Sequence, residues 1–445
     1  MKSDDALLIA WEETLARKAD APAIFDTRGE VQRTFREVET RARAVEIELE
    51  FRAEGEVYPI DIGNHPDWPS LLLASLRRRL VALPLEDSMT PQQRAAALAI
   101  CNPTPSRPWV GRPPVLLKLT SGTTAAPRAI RFRSEQLVAD CTQICDTMGI
   151  GPEDLNFGVI PLSHSYGFSN LVTPLLVRGV PMVVSRDRMP RAVLDDLART
   201  GATVFPGMPV FYQAFCEMEN APELPKLRLC ISAGAPLPLE IARKFRDKFQ
   251  RSIHSFYGSS ECGGICYDRE ARLEEPGFVG PPMRGVELEL LERDAPASLI
   301  RVRSAAAGDG YVPEPDEAKL GGGSFTPDDL LSAGSNGFRI VGRISDVINV
   351  AGKKVNPAEV EAELLRFEGV QAAVVFGRSS ALRNEEVAAC VVAGESVREI
   401  ELLDFCRERL SGWQVPKRIF FLDEIPVNER GKISRRELAQ RFGSG

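Results

Sequence analysis

Lys118-Leu-Thr-Ser-Gly-Thr-Thr-Ala-Ala-Pro-Arg128 follows the apolar, strand-like run Pro114–Leu117 and places three Thr, one Ser and one Gly in the five positions Thr120–Thr124. Small hydroxyl residues around a glycine let backbone N–H and side-chain O–H groups converge on an anion without obstruction from Cβ atoms. A cation at the end of the loop, here Arg128, can neutralise the remaining charge. The stretch therefore reads as a phosphate-holding loop, and it is not a Walker loop, because no G-x-x-x-x-G-K-[ST] accompanies it. Alone it would be an ordinary polar turn. Its weight comes from the segments downstream.

Three of these follow in fixed order: Phe256-Tyr-Gly-Ser-Ser-Glu261, Gly342-Arg-Ile-Ser-Asp-Val-Ile-Asn-Val-Ala-Gly352 and Gly431-Lys-Ile-Ser-Arg435. With the first loop they resemble the signature series of the adenylate-forming superfamily, which comprises acyl- and aryl-CoA ligases, adenylation domains of peptide synthetases and luciferases. The resemblance runs from about Leu117 to about Arg436, and four matches in order at suitable intervals set it apart from chance.

At 445 residues the chain is too long for one ordinary core, and two domains are the natural expectation. Hydrophobic residues make up 44% and charged residues 26%, the balance of a soluble globular protein. A formal net charge of −7 argues against nucleic acid as the main partner, and Arg77-Arg-Arg79 reads as a solvated helix face. The nine cysteines contain no C-x-x-C pair, and three histidines offer little to complete a zinc site. Cys141/Cys145 and Cys262/Cys266 are each spaced by four, as on one face of a helix, and reduced buried thiols are expected. The N-terminus carries acids where a signal peptide carries basic residues, and no apolar run reaches membrane-spanning length, so a cytoplasmic protein is expected.

Helical patterns are predicted at Asp5–Lys18, Phe35–Phe51, Trp68–Leu80 and Thr90–Cys101, the last with Pro91 at an allowed first-turn position. From Val115 short apolar runs alternate with helical ones: Leu116–Leu119, Asn156–Ile160, Val180–Ser185, Ala202–Phe205 and Leu227–Ser232. That alternation signals an α/β fold with a largely parallel sheet. Around Arg284–Val302 alternating strands take over, and Gly321-Gly-Gly323 reads as a flexible loop. After Arg343 the order strand, helix, strand, strand, helix, strand describes a small α+β domain of about a hundred residues. The resulting expectation is a large N-terminal multi-subdomain α/β domain over residues 1–343, a small mobile C-terminal domain over 346–445, and a hinge near 344–346.

The resemblance implies ATP, Mg²⁺ and either CoA or a phosphopantetheine carrier protein as cofactors and partners. It places the β- and γ-phosphates on Thr120, Ser121, Gly122, Thr123 and Thr124 with Arg128; the family pattern T-S-G-T-T-G-x-P-K is altered here at Ala125 and Arg128. Against the family's Y-G-x-T-E, Tyr257 would stack on adenine, Gly258 follows it, Ser260 would touch the α-phosphate and Glu261 would bind Mg²⁺, an oxygen-seeking ion. Gly234 and Ala235, at the C-terminal end of a predicted strand, would make room for the base. Asp329 would take the ribose hydroxyls, with Asp328 the alternative because T-G-D-L is here T-P-D-D-L, and Arg343 would complete the contacts. Lys432 matches the lysine that bridges the attacking carboxylate and the α-phosphate, a task suited to a compact charge on a flexible stem. The pivot between half-reactions falls on Ser345, after which Gly352 and Lys354 would approach the pantetheine channel.

His164, in Pro161-Leu-Ser-His-Ser-Tyr-Gly167, resembles the P-x-x-H-x-x-G of acyl- and aryl-CoA ligases, where the histidine borders the reacting carboxylate. Amino-acid-activating relatives carry an Asp in this stretch, and none occurs between Pro161 and Leu176, so the expected substrate is an acyl or aryl acid without an α-amine. Its pocket would draw on Tyr166–Asn170, Phe205–Pro209 and Gly258–Ile265, with Phe168, Phe205 and Met208 as apolar wall. The first motif lies nearer the N-terminus than in full-length relatives, which predicts a trimmed opening region that can reshape the acid tunnel or a homodimer face. The implied reaction is adenylation followed by acyl transfer to a phosphopantetheine thiol. Another acceptor such as an amine, or a catalytically silent nucleotide-binding protein, stays open at this stage.

Overall fold

The structure is a computed structural model and describes residues 4–104, 108–109, 111–120, 128–272, 275–293, 295–350, 353–380, 384–426 and 435–442. It divides into two compact units. The first holds residues 1–289, 301–327 and 334–339, and the second holds 290–300, 328–333 and 340–445.

In the first unit an eight-stranded sheet runs in the order 263–267, 253–259, 229–232, 204–207, 156–158, 182–184, 22–25, 31–34. Its centre is parallel, as the alternation of strand and helix predicts, and its two edges close with antiparallel hairpins. The parallel register aligns Ser232 with Gly207 and with Ser255, so the C-terminal ends of these strands open onto one edge. Beneath lies an aromatic core in which Phe205 meets Phe157, Phe211, Tyr212 and Phe215 at ring separations of 5.6–6.1 Å. A second, five-stranded sheet contains Leu116–Leu119 paired antiparallel with Ala129–Phe132.

Helices begin where the sequence supplies a cap. The Asp5 carboxylate accepts from the Leu8 N–H, which starts the helix Ala6–Lys18, and capping boxes open Phe35–Glu48 at Thr34 and Pro91–Cys101 at Thr90. Two expectations need correcting. Cys141 and Cys145 do share a helix face, but Cys262 stands in a turn before the strand Gly263–Tyr267, so that pair is not helical. Gly322 and Gly323, both at positive φ, form the turn of a hairpin between 320–321 and 324–325 where a loop was expected; only glycine adopts such angles cheaply.

In the second unit the strands Ile348–Val350, Val370–Ser380 and Asn384–Ala393 form the expected sheet, extended by Lys353–Val355 and joined in parallel by Arg418–Phe421. Helices Pro357–Leu364 and Glu399–Arg409 cover one face, with Val360, Leu364, Leu402 and Cys406 buried against Val375, Val387 and Val391. The terminal helix Arg435–Phe442, which periodicity did not single out, packs Leu438 against Val374, Phe376 and Cys390 on the other face. Among the described residues no helix is long and apolar enough to cross a membrane.

Candidate functional site

The glycine- and hydroxyl-rich loop is the connection of an antiparallel hairpin. Thr120 closes its neck twice, its N–H and its hydroxyl both donating to the Arg128 carbonyl at 2.8 and 3.1 Å. Ser121, Gly122, Thr123, Thr124 and Ala125 lie outside the described residues, as do Gly352 and Lys432. Arg128 sits over the Tyr311 ring at 5.4 Å and 3.6 Å from the Asp316 carboxylate.

The strand Ile253–Ser259 carries Tyr257 into the sheet as a buried ring, and Ser260 and Glu261 follow in the turn to its antiparallel partner. This hairpin has no room for side chains at its glycines. A Cβ at Gly258 would lie 2.7 Å from the Gly263 carbonyl, and at Gly264 it would lie 2.4 Å from the Met283 sulfur. The Ser165 hydroxyl donates to the Ser260 hydroxyl at 2.8 Å and so joins this turn to the segment that bears His164. His164 Nδ1 accepts the Tyr166 N–H at 3.2 Å, which assigns the proton of the neutral ring to Nε2. Beyond it the helix takes two π turns, Phe168–Val172 and Pro174–Arg178, an irregularity common near functional sites. Gly167 is obligatory at the bend, since a Cβ would meet the Pro161 carbonyl at 2.1 Å.

Glu261 is partly accessible, and desolvation of its carboxyl pushes its pKa above the ordinary value against the opposing pull of hydrogen bonds. One of those bonds comes from Tyr311, whose hydroxyl donates to Oε1 at 3.1 Å and whose own pKa is pushed up, chiefly by burial. No cation stands within ion-pair distance of Glu261 among the described residues. A carboxylate in that condition fits a divalent ion, and a single carboxylate fits Mg²⁺ in particular, which completes its shell with phosphate oxygens and water. Among the described residues no cluster of three His, Cys, Asp or Glu side chains forms a protein-only metal cage. Gly234, at φ +85°, and Ala235 are exposed just past the strand Leu229–Ser232, and the Ser232 hydroxyl there is buried without a hydrogen-bond partner among the described residues. Room and an unmet hydroxyl at the C-terminal edge of a parallel sheet fit a planar ligand.

In the second unit Arg343 Nε donates to Asp329 Oδ1 at 2.6 Å, with the Asp329 side chain 10% and the Arg343 side chain 60% exposed. Asp328 is exposed, and its carbonyl accepts the Ile344 N–H. Lys354 is exposed on the strand Lys353–Val355.

Two expected pocket walls are in fact core. Phe205 is fully buried among four other rings, and Phe168 is packed between the Trp68 ring at 5.9 Å and the Lys118 ammonium at 5.0 Å, which leaves neither a face for a ligand. Met208 is partly exposed, with its sulfur 4.0 Å from where a Gly234 Cβ would stand. Sequence reading passed over three contributors. Tyr311 is one; it stands in the short strand Gly310–Val312, which pairs with Ala129–Phe132. Asp140 is another, buried, accepting from the Ser169 hydroxyl at 2.5 Å and the Gly264 N–H at 3.1 Å, thereby tying the His164 segment to the glycine strand. The third is Lys118, buried beside the Phe132 and Phe168 rings, its pKa lowered by desolvation against the attraction of Asp140.

Two sequence profiles match the chain. One, described as AMP-binding enzyme, covers residues 102–299, and the other, described as AMP-binding enzyme C-terminal domain, covers residues 359–432. A feruloyl-CoA synthase from an Amycolatopsis species is 29% identical over 343 residues, 74% of this chain and 70% of that protein. A 3,4-dihydroxybenzoate–aryl-carrier-protein ligase of Bacillus anthracis is 27% identical over 332 residues, 74% of each. The crystal structure of ATP-bound MatB from Rhodopseudomonas palustris superposes with a TM-score of 0.85 at 22% identity, covering 98% of this chain and 99% of that one, a likeness of fold.

Proposed function

The chain belongs to the adenylate-forming AMP-binding enzymes and is an AMP-forming acid–thiol ligase, and from this premise we propose that it joins an aryl or acyl acid without an α-amine to CoA. The observation that carries the reading is the linked set Arg128–Tyr311–Glu261 with Ser260–Ser165–His164 at the C-terminal edge of a parallel sheet. It offers a desolvated carboxylate with no cation at ion-pair distance among the described residues, hydroxyls for a phosphate and a neutral imidazole for a carboxylate. A triphosphate and a carboxylate repel one another, and donors fixed in advance reduce that barrier without reorganising.

In this reading Thr120–Thr124 and Arg128 receive the β- and γ-phosphates, Tyr257, Gly234 and Ala235 hold the base, and Gly258 lets it approach the backbone. Ser260 donates to the α-phosphate, and His164 Nε2 orients the acid. Glu261 holds Mg²⁺, which screens phosphate charge when bound. Asp329 and Arg343 take the ribose; Asp329 is preferred to Asp328 because its carboxylate is already oriented by Arg343. Lys432 bridges carboxylate and α-phosphate, the C-terminal domain (346–445) turns about Ser345 between half-reactions, and Gly352 and Lys354 serve the pantetheine path.

Acid-dependent pyrophosphate release from ATP tests the reading across a panel of cinnamic-like, benzoic-like and fatty acids, with and without CoA. Release in wild type that drops at least about 100-fold in Lys432→Ala is expected, the scale of losing one stabilising donor. Thioester formed with free CoA supports that acceptor; thioester formed only on a carrier protein moves the assignment there. No release with any acid despite ATP binding defeats the ligase reading for this panel.

A further inference from the structure

Among the described residues of the second unit, Arg435 has a partner on each of its three guanidinium nitrogens. Arg435 opens the terminal helix, three positions after Lys432 in sequence. Its Nη1 pairs with Asp346 Oδ2 at 2.8 Å, its Nη2 donates to both oxygens of Glu361 at 2.8 and 3.0 Å, and its Nε donates to the Val375 carbonyl at 2.9 Å. Glu361 Oε1 in turn accepts the Val375 N–H at 2.7 Å. Three elements, the helix Pro357–Leu364, the strand Val370–Ser380 and the terminal helix, are thereby fastened to Asp346, the residue next to Ser345.

A single surface ion pair would do little. Here one planar fork serves two carboxylates and a carbonyl, with all three side chains 15–27% exposed, a geometry that restricts orientation as well as lowering energy. Lysine could supply the charge but not the fork.

We propose that Arg435 is a positioning residue for adenylation, fixing the start of the terminal helix, three positions after Lys432 in the sequence, to Asp346 beside the pivot. The inference rests on the role given above to Lys432. Without the clamp, the path from Asp346 to Lys432 runs through more than eighty residues of sheet and helix; with it, the two ends of that path are three residues and one side chain apart. A lysine that must meet two anions at once tolerates little displacement, and an ångström of error can cost about 100-fold.

The test is a double-mutant cycle on the full chain, read as pyrophosphate release and, separately, as thioester formation from supplied acyl-adenylate. Arg435→Met should lower adenylation about 10- to 100-fold through kcat, with KM for ATP and acid unchanged, and lower thioester formation far less. In the Lys432→Ala background the same change should cost nothing further. Arg435→Lys should recover little, and Asp346→Asn, which removes one arm of the clamp and serves should Arg435→Met not fold, should show the same dependence on Lys432. Equal losses in both half-reactions, or losses that add in the double mutant, overturn the proposal. An inactive wild type or a fully active Lys432→Ala removes the ligase reading and this inference together; additivity in an otherwise active enzyme removes this inference alone.

Discussion

Glu261 in the first unit and Asp329 in the second are acids at motif positions in opposite electrostatic conditions. Glu261 is desolvated, holds a hydroxyl from Tyr311 and has no cation at ion-pair distance among the described residues. Asp329 is more deeply buried and has its cation beside it, Arg343 at 2.6 Å. The second unit repeats that habit around Arg435, where Asp346 and Glu361 share one guanidinium. An ionised group out of water needs an opposite charge, which arginine supplies at ion-pair distance to Asp329 and which, in the proposed reading, a bound metal supplies to Glu261. At Glu261 the proposed metal would offset the cost of desolvation; at Asp329, Asp346 and Glu361 an arginine of the same unit does so.

The largest expected effect comes from neutralising Glu261. Glu261→Gln should reduce acid-dependent pyrophosphate release about 100- to 1,000-fold, the scale of losing one charge-stabilising group. The same change should leave the melting temperature of the unliganded protein level or raise it, as happens where a functional site is strained. The sign follows from the raised pKa: between its ordinary and folded values the folded protein binds the proton more tightly, so this group's contribution to stability falls as pH rises through that window. Metal binding needs the ionised form, so the Mg²⁺ requirement should rise as pH falls through it. A marked loss of stability in unliganded Glu261→Gln would break the comparison.

Tyr311→Phe sharpens it. The ring that lies under Arg128 is kept and only the hydroxyl that favours the Glu261 anion is lost. A hydrogen bond to a charged group is worth roughly 1.5–3 kcal/mol, so the Mg²⁺ midpoint should rise by up to about tenfold at the acid end of the range, with a smaller change at high pH where Glu261 is ionised regardless. An unchanged Mg²⁺ titration would show that Tyr311 serves Arg128 alone.

How far this was legible in the sequence differs by kind of residue. The parallel sheet and most of the small unit follow from apolar periodicity and turn chemistry, because burial and backbone geometry act locally. Phe205 shows the limit: an aromatic beside a motif can face the ligand or the core, and the choice is made by the packing of its strand against Phe211, Tyr212 and Phe215 of the next helix and against Phe157, 48 positions away. Tyr311 reaches Glu261 across 50 positions and Asp140 reaches Gly264 across 124, separations over which no spacing rule operates. Arg435 was visible as a basic residue near Lys432, but its partners lie 74 and 89 positions away, so the clamp exists only once the sheet has formed. The Gly321–Gly323 turn was misread for a different reason, since glycine runs suit loops and tight hairpins equally until flanking strands pair.

The smallest expected effect lies in the second unit and sets the two acids directly against each other. Asp329→Asn removes the charge while keeping the shape and one acceptor oxygen, so Arg343 loses an ion pair, not a packing partner. Because the Arg343 side chain is 60% exposed, it can turn to water once released, and the loss should stay near 1 kcal/mol instead of the larger penalty of a stranded buried charge. In thermal unfolding without ligand, Asp329→Asn should therefore lower the melting temperature by roughly 2 °C, a change opposite in sign to that of Glu261→Gln. Shifts of the same sign in both variants would mean that ligand-free Glu261 is already compensated within the chain, and the assignment of its missing charge to a metal would fall.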